Sequence, residues 1–191
     1  MDFADRHRRF EVVSTLAPSK LKEMARVESE QTVAAIAEAI QRAPDTIVMT
    51  PLGPVTMPVQ RGMRLNEYII HGHDLMPAIG GSIPIPDWFS ERALNDAVTR
   101  MVRLHSRSPH KGQSASFHLH RTDGEGEWVL RADRGEAVAE LGHAKADVAL
   151  RGTAEGLYWV LMGRGKPDEH GVEVHGDPAL AAAFKEWFPG P

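Results

Sequence analysis

Apolar positions recur at three- and four-residue spacing through the first half of the chain and alternate with polar ones afterwards. Phe3, His7, Phe10 and Val13 predict a short amphipathic helix over residues 3–16. Pro18 suits the first turn of a second helix, whose stripe runs from Leu21 and Met24 through Val33, Ile36 and Ile40 to Ala43-Pro44. Pro44, Pro51, Gly53, Pro54 and Pro58 exclude a helix over 44–60, leaving an ordered loop with an extended piece at Thr46–Met49. A third helix fits residues 61–76, stopped by Pro77 and Gly80-Gly81, with a Pro- and Gly-rich turn over 78–86. Asp87 is placed to cap a fourth helix to Leu104, with Phe89, Ala93, Val98, Met101 and Val102 inward.

Residues 105–114 are polar and read as a flexible domain boundary, after which the period changes. Strands are expected at 115–121 and 127–132 around the Thr122–Gly126 turn, and again at 137–141, 148–151 and 172–175. Thr153 and Asp177-Pro178 open two helices, one ending at Gly163 and one carrying Leu180, Ala183, Phe184 and Trp187. The fold class is therefore α+β: a helical domain over 1–107, then a small antiparallel sheet with helices on one face over 115–191.

With 191 residues, 42% hydrophobic and 25% charged, the chain is not a disordered, collagen-like or disulfide scaffold. Its net charge of −4 lacks the positive field of a nucleic-acid binder. The N-terminus has no signal-peptide core, and no apolar run approaches the roughly 20 residues that span a bilayer. A cytoplasmic protein without nucleic-acid or membrane partners is expected. Cysteine is absent, so a catalytic thiol has to arrive with a substrate or cofactor.

The third helix carries the most informative chemistry. Arg64, Glu67, His71 and Asp74 share one face at 3.6 residues per turn. A glutamate and a histidine one turn apart can hold a common metal ion; the plain alternative is a solvated pair, with Arg64–Glu67 an ordinary salt bridge. Two donors are fewer than the three a catalytic zinc takes, and His73 lies about 200° round the helix from His71. His118 and His120 alternate on a strand; a metal pair is one reading and solvated outer-face residues the favoured one. Trp128, Trp159 and Trp187 are read as core rather than cavity lining.

Arg64-x-x-Glu67-x-x-x-His71-Gly-His-Asp74-Leu75, with Ala78-Ile79-Gly80 after it, resembles the signature of mycothiol-dependent maleylpyruvate isomerase-like proteins of actinobacteria. Ala146-Asp147-Val148, Leu157-x-x-x-Leu161-x-Gly163-Arg164 and Val172-x-Val174-x-Gly176-Asp177 resemble that family's sterol-carrier-like C-terminal domain. The resemblance implies a DinB-like helical bundle in which Glu67 and His71 are two of three ligands to a divalent metal, zinc by preference. The metal would lower the pKa of the mycothiol thiol. In the isomerase that thiolate adds to the double bond of maleylpyruvate and leaves after rotation, giving the trans product; other relatives transfer mycothiol to electrophiles. Arg164 matches a family arginine placed to act in catalysis and cofactor binding, its plain alternative being a cation at a helix C-terminus.

The third ligand and the first two bundle helices of the family are expected upstream of residue 1, and His7 is the one histidine before the motif. The bundle is therefore expected to be incomplete, with an apolar face on residues 21–40 that a homodimer would cover. The leading expectation is a metal- and mycothiol-dependent isomerase or S-transferase acting on a small electrophile. The alternative is a non-catalytic small-ligand or partner-binding module, a truncated family member.

Overall fold

The computed structural model describes residues 3–50, 53–81 and 85–190. The expected turn at 78–86 thus falls partly outside the described residues, as do the side chain of Phe3 and the loop position Pro51. Contacts divide the chain into two compact units, Met1–Arg64 and Leu65–Pro191.

The first unit contains α1 (Phe3–Ser14), α2 (Pro18–Arg42) and a hairpin of β1 (Ile47–Thr50) and β2 (Gly53–Thr56). Pro18 starts α2, where a missing N–H removes nothing. None of α2's residues is buried, and Val33 of its apolar stripe is 60% exposed. The hairpin corrects the expectation of a loop: Ile47 pairs with Thr56 and Met49 with Pro54. A proline lacks the N–H for a ladder, but a two-stranded ribbon leaves each strand one open edge to turn it toward. The third helix, α3 (Met57–Ile79), starts four residues early because Pro58 is tolerated in a first turn. It also continues through Pro77, and Gly80 at φ +67° ends it by donating to the Met76 carbonyl at 2.9 Å.

The second unit comprises the rest of α3, α4 (Asp87–Leu104), β3 (Ser114–Arg121), β4 (Glu127–Asp133), β5 (Glu136–Leu141), β6 (Val148–Gly152), α5 (Ala154–Leu161), β7 (Glu173–Gly176), α6 (Pro178–Ala182) and α7 (Phe184–Trp187). The α+β class stands, and the sheet runs β5-β4-β3-β6-β7. It is antiparallel except at β3–β6, where Phe117 faces Val148 in a parallel pair. That pair corrects the all-antiparallel expectation: after β5 the chain crosses to the far side of β3 and enters in its direction. The last helix is broken at Ala183 into α6 and α7, and Asp177 caps α6 by accepting from the Ala179 N–H at 2.8 Å.

One sheet face forms the core. Phe117, Leu119, Leu130 and Leu150 are fully buried, along with Leu94 and Met101 of α4 and Leu157 and Leu161 of α5. Phe117 meets Phe184 and Phe188, each at 5.3 Å between ring centroids. Trp128 and Trp187 are buried in the core, as expected, and Trp128 donates to Asn95 Oδ1 at 3.1 Å; Trp159 is buried too but, against the expectation, borders a cleft. On α4 Phe89, Ala93, Val98 and Met101 are buried as expected, joined by Leu94, Ala97 and Leu104, while Val102 is half-buried and Pro86 rather than Asp87 is the capping residue.

Residues 105–114 are not a boundary between the compact units. His105 is wholly buried and donates from Nδ1 to the Trp187 carbonyl at 2.9 Å. Ser108 donates to the Glu186 carbonyl at 2.7 Å, and His110 stacks on Trp187 at 4.9 Å. The polar composition that suggested a free linker instead satisfies the chain's own C-terminal backbone. Among the described residues no helix is long and apolar enough to cross a membrane.

Lys185 of α7 donates from Nζ to the Leu161 carbonyl at the end of α5, 2.9 Å away. Burial, reinforced by the positive charges of Arg164 and Arg100, holds its ammonium down at about 8 against an ordinary 10.5. Below pH 8 both folded and unfolded chains carry this proton. Between about 8 and 10.5 the unfolded chain holds it more tightly, so stability rises with pH there. Urea midpoints measured across that window should climb for the parent and lose the Lys185 contribution in Lys185→Met.

Candidate functional site

The polar face of α3 folds as its spacing predicts. His71 Nε2 lies 3.3 Å from Glu67 Oε2, and its Nδ1 lies 3.2 Å from Asp74 Oδ2. The imidazole is therefore held edge to edge between two carboxylates of its own helix, one turn to either side. Asp74 in turn accepts from Arg164, Nε to Oδ1 at 3.0 Å and Nη2 to Oδ2 at 2.8 Å. This fork holds the Asp74 carboxyl down at about 2, against an ordinary 3.8, and raises the Arg164 guanidinium further.

Arg164 reaches Asp74 because Gly163, at φ +69°, turns the chain out of α5. Its Nη1 also donates to the Met162 carbonyl at 2.7 Å. Arg164 is the cation at a helix end that the plain reading expects, and it is also tied to the polar stripe of α3 through Asp74.

Glu67 and His71 can approach one cation, but Asp74 sits on the opposite ring nitrogen. The three donors do not converge on a point. The α3 face thus offers two metal donors and a carboxylate that buttresses one of them.

Behind this face the second unit is locked by Asn66, which is buried. Its amide donates to the Tyr158 hydroxyl, and its oxygen accepts from Arg100 Nη2 at 2.8 Å and Nη1 at 3.0 Å. Burial pushes the Tyr158 phenol well above its usual range, so it keeps its proton. His73 points away from His71 as the helical angle requires and stacks on Trp159, 4.2 Å between centroids. The two rings line a cleft of about 630 Å³ with Met76, Thr153, Glu155 and Glu169.

A second constellation lies on the sheet. His118, read as a solvated outer-face residue, is buried at 6% exposure. It joins His120, Glu127 and His143, whose donor atoms all lie within 4.8 Å of one another; among the described residues no other group of three or more such donors converges. The alternation of 118 and 120 was visible in the sequence, whereas their partners depend on strand register and on the turn after β5.

The sequence pattern of the MDMPI C-terminal domain, that of maleylpyruvate isomerase, matches residues 88–183. No curated protein sequence matches the chain. Among solved structures, a sec-alkylsulfatase from Pseudomonas sp. is 18% identical with a TM-score of 0.40; the match covers 56% of this chain and only 17% of the sulfatase. A UbiJ-SCP2 ubiquinone synthesis protein is 14% identical with a TM-score of 0.40, over 52% of this chain and 95% of its own. Sterol carrier protein 2 like 2 from Aedes aegypti is 19% identical with a TM-score of 0.39, over 53% and 98% respectively. The pattern begins with α4, takes in every strand of the five-stranded sheet and covers half of the sequence, so the chain belongs to the maleylpyruvate isomerase C-terminal domain family.

Proposed function

We propose that this chain serves a metal- and mycothiol-dependent isomerase or S-transferase acting on a small unsaturated acid of the maleylpyruvate type, with Glu67 and His71 as two donors to its divalent cation. The observation that carries this reading is the placement of the His71 ring. With Nδ1 3.2 Å from Asp74 and Nε2 3.3 Å from Glu67, Asp74 can hold Nδ1 while Nε2 and Glu67 turn to a shared cation, the carboxylate–histidine arrangement that orients metal ligands. Bound there, zinc would supply acidity to a coordinated thiol. Arg164, which the family resemblance puts beside cofactor or substrate, acts in this reading through Asp74 and so positions His71. The cleft lined by His73 and Trp159 takes the body of the cofactor or the substrate.

The test is turnover of maleylpyruvate, followed by proton NMR, with mycothiol and zinc each added or withheld. Turnover should require both, and Glu67→Gln and His71→Asn should each lower it at least about tenfold. Folded chain that turns over nothing, or turns over equally in both variants, overturns the assignment. Binding of a small ligand without turnover would place the chain among non-catalytic binding modules.

A further inference from the structure

The geometry points to a divalent transition-metal site on the sheet, built from His118, His120, Glu127 and His143, to which nothing in the proposed reaction assigns a role.

Each donor has a structural reason to be there. His118 and His120 project from β3 on the face opposite Phe117 and Leu119. Glu127 is the direct cross-strand partner of His120. His143 follows Gly142, whose N–H donates to the Glu127 carbonyl at 2.9 Å. Gly142 holds φ +120°, a conformation that side-chain-bearing residues rarely adopt, and this turn swings residue 143 back over Glu127.

The donors converge on one carboxylate. Glu127 Oε2 lies 3.1 Å from His118 Nε2 and 2.8 Å from His143 Nδ1, and Oε1 lies 2.8 Å from His120 Nδ1. A tetrahedral ion with bonds of about 2.1 Å sets its donors about 3.4 Å apart; the three Glu127–histidine separations fall a little below that and every donor pair lies within 4.8 Å, so the histidines would draw in around the ion. His118 stands nearly perpendicular to His143 and to His120, at 89° and 87°, so the rings converge rather than stack.

Three imidazoles and one carboxylate suit zinc, cobalt, nickel or copper and disfavour magnesium and calcium, which prefer all-oxygen shells. Four protein donors complete a tetrahedron, the composition of a structural rather than a catalytic site. His118 is fixed by burial, with 7% of its side chain exposed, and His143 is 77% exposed, so a bound ion would staple the turn after β5 onto the β3–β4 pair.

The experiment uses tag-free chain stripped with chelator, then titrated with zinc and with cobalt. Metal content is read by elemental analysis, and coordination by the visible d–d bands of cobalt. Four chains are compared: the parent, His118→Ala with His120→Ala, His143→Ala, and Glu67→Ala with His71→Ala. The expected result is a tetrahedral cobalt spectrum and one zinc equivalent that survive in the α3 double variant. Both should be lost in the sheet double variant and weakened at least about tenfold in His143→Ala. His143 lies in an exposed turn, so its variant keeps the comparison valid if the double variant misfolds. Equal metal content in the parent, the sheet variants and His143→Ala overturns the proposal, as does a parent that binds neither ion at micromolar concentration. Loss confined to the α3 variant overturns it while leaving the proposed function standing; loss confined to the sheet variants upholds it, and the proposed function is then decided by its own turnover assay.

Discussion

Replacing Asn66 with leucine is expected to lower the stability of the folded chain by about 2–3 kcal/mol, although the two side chains share the same branching and heavy-atom count. Asn66 is a buried amide with both ends in use. Its NH2 serves the Tyr158 hydroxyl of α5, and its oxygen serves both Nη atoms of Arg100 on α4. Leucine leaves a phenol without its partner and a half-buried guanidinium without its acceptor, and desolvated orphans outweigh the apolar area gained. Tyr158→Phe removes one partner and leaves the Asn66–Arg100 contact, so it should cost about 1 kcal/mol. Chemical denaturation of the two single variants and the double variant measures the coupling. Additive effects would show that Asn66 and Tyr158 do not act on each other.

How much of this was legible in the sequence follows the range of the forces involved. The α3 stripe was readable because helical geometry is local: Glu67, His71 and Asp74 meet whatever the rest of the chain does. The capping roles of Thr153 and Asp177 were readable for the same reason, and both accept from the amides expected of helix caps. Register is not local. His118 and Glu127 are nine residues apart and look like unrelated surface residues until the β3–β4 ladder sets them side by side. His143 joins them only through the turn at Gly142. The parallel β3–β6 pair was hidden likewise, since a strand's direction in a sheet leaves no mark on its own composition. Pro54 masked β2, and the polar run at 105–114 concealed an anchored segment because hydrogen bonds to distant carbonyls of Glu186 and Trp187 have no sequence signature.

Arg164→Ala should lower stability at neutral pH by about 1–2 kcal/mol and reshape both ends of the stability–pH curve. The substitution breaks the fork to Asp74 and the bond to the Met162 carbonyl. Asp74 is 37% exposed, so water screens part of the loss and keeps the figure near the lower end for a bidentate pair. At the acid end the sign follows from the depressed carboxyl. The stabilisation is complete above the ordinary 3.8 and disappears as pH falls through about 2, so the gap between parent and variant should close over that interval. At the alkaline end Arg164 is one of the charges that depress Lys185, so its removal lets that ammonium recover and flattens the rise above pH 8. The relief at Lys185 offsets part of the loss at Asp74 at neutral pH. Arg164→Lys separates charge from geometry: it keeps a cation beside both groups but cannot make two parallel N–H bonds to one carboxylate. If the lysine variant matches the parent in urea midpoint from pH 2 to 10, only charge matters at this position. If it follows alanine at the acid end while retaining the depressed Lys185, then the fork itself holds Asp74, and through Asp74 the His71 ring.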